Sequence, residues 1–149
     1  MQGKIILKKG KEFSIERFHP WLSWGAIRAT EGDLVDGAWV EVRSSKGRIL
    51  GFGHYQKGSI MVRMLTFAEQ PALDFWSEKI RTALAVRKQV GLPSENTNAF
   101  RIIHGEGDGL PGLIIDYYNG IAIVQAHSIG MHLDRMKVTA ALSGVLADE

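Results

Sequence analysis

The 149-residue chain contains no cysteine. That absence removes disulfides, thiolate metal sites and any cysteine nucleophile, and it fits a reducing cytoplasm. No apolar run approaches the ~20 residues a membrane helix requires, so no membrane partner is expected. The start, Met1-Gln2-Gly3-Lys4, leads into a short strand-like run and lacks the long apolar core of a signal peptide. No Gly-Lys-Ser/Thr follows a glycine-rich loop, and no Gly-x-Ser-x-Gly elbow supports a hydrolase. His19, His54, His104, His127 and His132 show no zinc-helix spacing, so no metal site is expected.

What is present is a globular composition, 45% hydrophobic, with an uneven charge distribution. Residues 1–73 hold 11 Lys/Arg against 7 Asp/Glu, and residues 74–149 hold 7 against 9. The first eleven residues carry Lys4, Lys8, Lys9 and Lys11 and no acid. A basic front half is compatible with a phosphate-rich partner, although on charge alone an uneven soluble surface is the favoured reading.

The hydropathy period divides the chain near Pro71. Before it, the pattern predicts short strands: Lys4 to Lys8, Trp39 to Arg43, Arg48 to Tyr55 and Ile60 to Phe67. Val40 and Val42 share one face, as do Ile60, Val62 and Met64. Gly51 and Gly53 interrupt their strand and predict a bulge or a close backbone approach. A short helical turn is expected over Arg17 to Ser23. Short strands between glycine-rich turns indicate a small barrel or sandwich. After Pro71, Asp74 is a good N-cap for a helix bearing Phe75, Trp76, Ile80, Ala83, Leu84 and Val90, stopped by Gly91-Leu92-Pro93. Arg101 to His104 reads as a strand. Leu113 to Tyr118 and Ile121 to Ala126 flank Asn119-Gly120, a strong hairpin signal. Met131 to Leu146 reads as a second amphipathic helix.

Two stretches and three single residues invite a functional reading. The loop Gly105-Glu106-Gly107-Asp108-Gly109-Leu110-Pro111-Gly112 could cradle a phosphate through its amides. Its two acids oppose that, and a proline and a strand follow where a dinucleotide loop needs a helix. A tight structural loop is the first reading, and a ligand-facing loop stays open. His104, beside it, is the best functional histidine, although a hydrogen-bonded structural role is favoured. Glu106 with Asp116 would make a carboxylate pair, but nothing in the sequence brings them together. Arg17-Phe18-His19-Pro20-Trp21-Leu22-Ser23-Trp24-Gly25 mixes basic and aromatic residues, a combination that can hold phosphates and stack on bases. Most of these aromatics are expected in the core, with Arg17 and His19 left as contact candidates.

Arg17-Phe18-His19-Pro20-Trp21 through Gly25-Ala26-Ile27 resembles the start of the PUA domain in bacterial large-subunit ribosomal RNA cytosine-5 methyltransferases. So do Gly51-Phe52-Gly53-His54-Tyr55 and Ile60-Met61-Val62-Arg63-Met64-Leu65. The run from Thr97 to Asp116 is the more specific match and is similar to the signature of that family's middle domain. The resemblance spans nearly the whole chain. It implies a mixed fold, with a PUA-like β-barrel over residues 1–72 and a small α+β linker domain, helix-strand-hairpin-helix, over residues 73–149. It implies a longer S-adenosylmethionine-dependent parent protein whose Rossmann-like catalytic domain is absent here. The chain itself has no cofactor loop and no catalytic cysteine, and that family uses a cysteine to attack C6 of the base. No catalytic or cofactor-binding residue is therefore expected in this chain. Ribosomal RNA is the expected partner, the missing methyltransferase domain a second, and the cytoplasm the expected location. Lys8, Lys9, Arg17, His19, Lys57 and Arg63 are the candidate RNA contacts. The rival reading is a stand-alone PUA-containing RNA-binding or ribosome-associated protein.

Overall fold

A computed structural model describes residues 3–149. The chain forms two compact units, one ending at Pro71 and the other Ala72–Glu149.

The first unit contains β1 (Gly3–Leu7), α1 (Phe13–Glu16), β2 (Trp21–Ser23), a 3-10 turn (Trp24–Ala26), β3 (Ile27–Gly32), β4 (Trp39–Arg43), β5 (Ile49–Tyr55) and β6 (Ile60–Thr66). The strands form one sheet in the order β2-β6-β5-β4-β1-β3. All neighbours are antiparallel except β1 and β4. The connection between its two edges dictates its shape. Strands β2 and β3 lie at opposite edges, yet only Trp24–Ala26 separates them in sequence. Paired strands sit ~4.8 Å apart, so a flat sheet of this order would hold its edges about 24 Å apart. A three-residue link reaches roughly 14 Å at most. The sheet therefore curls. Because β2 does not pair with β3, the curled sheet is a half-barrel, in keeping with the small barrel expected from the sequence.

The alternation along each strand sets what the curl encloses. Ile5, Leu7, Leu22, Val40, Val42, Val62 and Met64 point inward and are buried, joined by Ile15 from α1. Val40, Val42 and Val62 are the inward residues the period-two pattern picks out. The expected helical turn at Arg17 to Ser23 is a correction. The helix comes earlier, at Phe13–Glu16, and Trp21–Ser23 is a strand. Pro20 disfavours a helical His19 and supplies no amide of its own, and Phe18 turns the chain with φ 63°. Strand β3 escaped the sequence reading because five of its six residues are exposed, leaving no apolar alternation to detect.

The second unit runs α2 (Phe75–Gln89), β7 (Ala99–His104), a 3-10 turn (Gly105–Asp108), β8 (Leu113–Tyr118), β9 (Ile121–Ala126) and α3 (Ile129–Ala147). Its antiparallel sheet has the order β7-β8-β9. The hairpin turn falls on Asn119 and Gly120, with φ values of 44° and 94°, the positive angles a two-residue turn of this hand requires. Asp74 stands at the N-cap of α2, but its carboxylate accepts from Arg81 at 3.1 Å rather than capping the first turn. Helix α3 is capped by Ser128, whose hydroxyl accepts from the Met131 amide at 3.2 Å. The two helices pack on each other, α2 burying Ile80, Ala83 and Leu84 and α3 burying Val138, Leu142 and Val145. Among the described residues, no helix is long and apolar enough to cross a membrane.

Candidate nucleic-acid interface

Several cationic residues of the first unit flank α1 and the turn between β4 and β5. Chain geometry starts this: Lys11 N–H donates to the Lys8 carbonyl, folding residues 8–11 into a turn that launches α1. Glu12, at the N-cap of α1, accepts from the Ser45 hydroxyl at 3.3 Å, and Glu16 pairs with Arg48, so both acids are tied to the β4–β5 turn. Arg28 Nη1 donates to the Ser45 carbonyl at 3.4 Å and brings β3 to the same place. Lys8 Nζ donates to the Gly25 carbonyl at 2.8 Å, which sets it beside the 3-10 turn. Residues 8–28 carry Lys8, Lys9, Lys11, Arg17 and Arg28 against Glu12 and Glu16 alone, and the turn adds Lys46 and Arg48. Among the described residues, no carboxylate pairs with Lys9, Lys11, Arg17 or Lys46. Their charge is therefore available to an anionic partner.

Aromatic side chains interleave with these cations and are exposed. Phe13 is 58% exposed, Phe18 70%, Trp21 43% and Trp24 68%. This overturns the expectation that Phe18, Trp21 and Trp24 belong mainly to the core. The inward positions of β2 and α1 are already filled by Leu22 and Ile15. The Arg17 guanidinium lies 4.2 Å from the centre of the Phe13 ring. His19 Nδ1 accepts from the Trp21 amide at 3.1 Å, leaving the ring on the surface.

The glycine-rich loop of the second unit is built differently. Arg87 grips Asp108 with two parallel hydrogen bonds, 2.5 and 2.8 Å, and its Nε donates to the Arg101 carbonyl. Asp108 also accepts from the His104 amide at 2.6 Å. The loop amides of Gly109, Leu110 and Leu113 donate to the loop's own carbonyls, of Glu106, Gly105 and Leu110. Leu110 is fully buried, and Gly112 packs against Ser128, where a β-carbon would lie 2.8 Å from its hydroxyl. Those internal bonds and the buried Leu110 match the tight structural loop read from the sequence, and the engaged Gly109 and Leu110 amides are not available to a phosphate. His104 Nδ1 lies 3.2 Å from Arg101 Nη1 and must accept, since a guanidinium only donates. Asp116 is held instead by the Arg101 fork, which keeps its carboxyl below the ordinary carboxylate value, its hydrogen bonds contributing most. Asp108 in the loop and Asp116 on β8 thus each have an arginine partner that sequence spacing did not reveal.

Residues 5–67 match the PUA-like domain family. The first unit is a PUA-like domain. The whole chain is homologous to ribosomal RNA large subunit methyltransferase I. The protein of that name from Alteromonas mediterranea is 38% identical over 99% of this chain. The one from Yersinia pseudotuberculosis is 33% identical over 95%. The chain spans 38% and 36% of the length of these two relatives. Among solved structures, a SAM-dependent methyltransferase from Streptococcus mutans, so described, matches 97% of this chain and 38% of its own. Its TM-score is 0.79 at 17% identity, a likeness of fold.

Within the PUA-like domain, Lys8, Lys9, Arg17 and His19 lie on the exposed stretch from the end of β1 to β2. Lys57 sits on the β5–β6 turn, where its backbone amide donates to Asp36. That turn reaches the 3-10 segment through a bond from Trp24 N–H to the Ser59 carbonyl. Arg63 stands apart. It lies within β6, half-buried, directly across from Trp21 on β2 and His54 on β5. Sequence reasoning missed Arg28 and Lys46, which reach the surface through β3 and the β4–β5 turn. A basic residue in a polar strand or turn carries no signal until its neighbours are known.

Proposed function

We propose that this chain is the RNA-recognition part of an S-adenosylmethionine-dependent ribosomal RNA methyltransferase, acting in the cytoplasm and modifying C5 of a cytosine. The observation that carries the reading is the exposed basic and aromatic surface around α1, on the unit that matches a PUA-like domain. The names of the homologous proteins support the reaction class. The chain's resemblance from Thr97 to Asp116 supports the cytosine-5 assignment.

In this reading the PUA-like domain holds ribosomal RNA through Lys8, Lys9, Arg17, His19, Lys57 and Arg63. The second unit links it to a catalytic domain that carries the cofactor. That unit offers such a domain an apolar surface. Ile121 and Ile123 alternate along the edge strand β9 and are exposed, as are Leu133 and Met136 on α3. S-Adenosylmethionine would supply the methyl group in the whole protein. In the glycine-rich loop the Gly109 and Leu110 amides are taken by the Glu106 and Gly105 carbonyls, and in this reading the cofactor sits on the catalytic domain.

The test is fluorescence titration of a ribosomal RNA hairpin with the parent chain, Arg17→Ala and Lys9→Ala at several salt concentrations. Each lost phosphate contact should weaken binding and flatten the salt slope by about one unit. Parent-like binding by both variants would assign the RNA to another surface. Calorimetric titration with S-adenosylmethionine should give no saturable micromolar heat.

A further inference from the structure

We propose that Phe18 and Trp24 are stacking platforms for unpaired RNA bases, so that the PUA-like domain selects a single-stranded segment rather than a duplex. The proposal rests on the RNA-binding reading and adds the class of RNA. Three observations carry it.

First, these rings are presented to solvent rather than left over from packing. Phe18 is 70% exposed and Trp24 68%, while the neighbouring Leu22 and Ile15 are 1% exposed. Burial of either ring in the core would remove substantial apolar area from water. Second, the backbone holds Phe18 outward at a cost. Its φ of 63° is a left-handed conformation that a bulky residue rarely adopts, and glycine would take it without strain. Phe67 and Phe18 make a T-shaped pair, with centroids 5.3 Å apart and planes at 87°. A T-shaped contact steadies the ring and occupies at most one of its two faces. Third, the surroundings fit a polyanion. Lys8 is bonded to Gly25, next to Trp24, and Arg17 adjoins Phe18. The acids of α1 are occupied by Ser45 and Arg48. Arg17 lies over Phe13 and adds a flat guanidinium beside an exposed ring.

The two rings are six residues apart, at most about 21 Å between their Cα atoms, so one short strand of RNA can reach both. A duplex keeps its bases stacked on each other and offers these rings no open face. An unpaired segment offers one per nucleotide. A protein partner would suit exposed aromatics as well, but the flanking lysines favour RNA.

The experiment compares two fluorescent RNAs of equal length and composition, one unpaired and about a dozen nucleotides long, the other a duplex. Each is titrated with the full chain, Phe18→Ala, Trp24→Ala, Trp24→Phe and Arg17→Ala. Trp24→Ala and Phe18→Ala should each weaken unpaired RNA by about tenfold or more, the usual effect of losing a base–aromatic stack. Duplex affinity and both salt slopes should stay at the parent values. Trp24→Phe should retain most of the affinity while losing the quenching of Trp24 emission that stacking produces. Arg17→Ala should instead weaken both RNAs. Both aromatic positions are exposed, and a thermal melt of each variant verifies folding. Equal losses on unpaired and duplex RNA would overturn the stacking proposal, as would aromatic variants that bind like the parent. The latter outcome would assign the rings to a protein contact. Failure of the parent to bind either RNA would instead overturn the RNA-binding reading itself.

Discussion

Arg87 on α2 and Asp108 in the glycine-rich loop join fork to fork, Nη1 to Oδ1 at 2.5 Å and Nη2 to Oδ2 at 2.8 Å. Their side chains are 15% and 9% exposed, so this is a largely desolvated pair. Removing one partner leaves the other charged and unpaired. Asp108→Ala should destabilise the chain by about 3–5 kcal/mol, measured by urea unfolding. The double variant Arg87→Met, Asp108→Leu should recover part of that loss, because it leaves no unpaired charge but still deprives the His104 amide and the Arg101 carbonyl of their partners. If Asp108→Ala melts like the parent, the pair does not anchor the loop.

The second fork gives a pH dependence. Arg101 Nε and Nη2 reach the two Asp116 oxygens at 2.8 and 3.1 Å. Those hydrogen bonds, then the guanidinium charge, hold the Asp116 pKa below its ordinary value against the opposing effect of burial. A carboxyl depressed on folding stabilises the protein above its unfolded value of about 3.9, and the contribution fades as pH falls through the folded pKa. Thermal melts of the parent and Arg101→Met from pH 6 to pH 2 should therefore show a parent advantage above about pH 4 that narrows at lower pH. Curves that stay parallel throughout would show that the pair does not titrate with folding.

The Asn119-Gly120 turn makes a sharper local test. Gly120 has φ 94°, which an L side chain rarely adopts, and nothing lies within 4 Å of where its β-carbon would be. Gly120→Ala is thus a conformational substitution without a clash. It should lower stability by about 1 kcal/mol, read as a drop in melting temperature. A neutral result would mean that the turn relaxes to another type.

What the sequence made legible follows from where its signals are local. The hairpin from Leu113 to Ala126 has its strands and turn as the residue pattern dictates, because Asn-Gly and two apolar runs carry all the information. Strand β4 was legible for the same reason, as Val40 and Val42 alternate into a buried face. The candidate site was legible only in part. Arg17 and His19 stand out by their company, and they are exposed as expected. The exposure of Phe18, Trp21 and Trp24 was not legible. A ring facing solvent and a ring in the core have the same one-letter symbol, and the difference is decided by Leu22 and Ile15 filling the interior first. Strand β3, with its run of exposed residues, could be found only through its pairing with β1. The arginine forks were hidden because Arg87 and Asp108 lie 21 positions apart and Arg101 and Asp116 lie 15 apart.

Gly53 offers a test in the PUA-like domain itself. The sequence predicted a bulge or a close backbone approach at Gly51 and Gly53, and both occur. The register shifts between Phe52 and Gly53 where β5 pairs β6. A β-carbon on Gly53 would overlap the carbonyl oxygen of Arg63, 2.8 Å from its carbonyl carbon and 2.9 Å from the Met64 Cα. All three are backbone atoms of β6, so no rotamer change can relieve the clash. The strands would have to part, and Val62 and Met64, both buried, would lose their packing in the curled sheet. Gly53→Ala should therefore cost at least the ~1–3 kcal/mol of ordinary overpacking, and more if the β5–β6 ladder opens. Gly25→Ala is the matched control. Nothing lies within 4 Å of its β-carbon position, its φ is not in the left-handed range, and its carbonyl stays available to Lys8. Urea unfolding should give a lower midpoint for Gly53→Ala and an almost unchanged one for Gly25→Ala. The Gly53 variant should also bind RNA more weakly, since the same ladder carries Arg63 opposite Trp21 and supports β2. Equal midpoints for the two variants would mean that the β5–β6 approach has room to spare and that Gly53 is not what sets it.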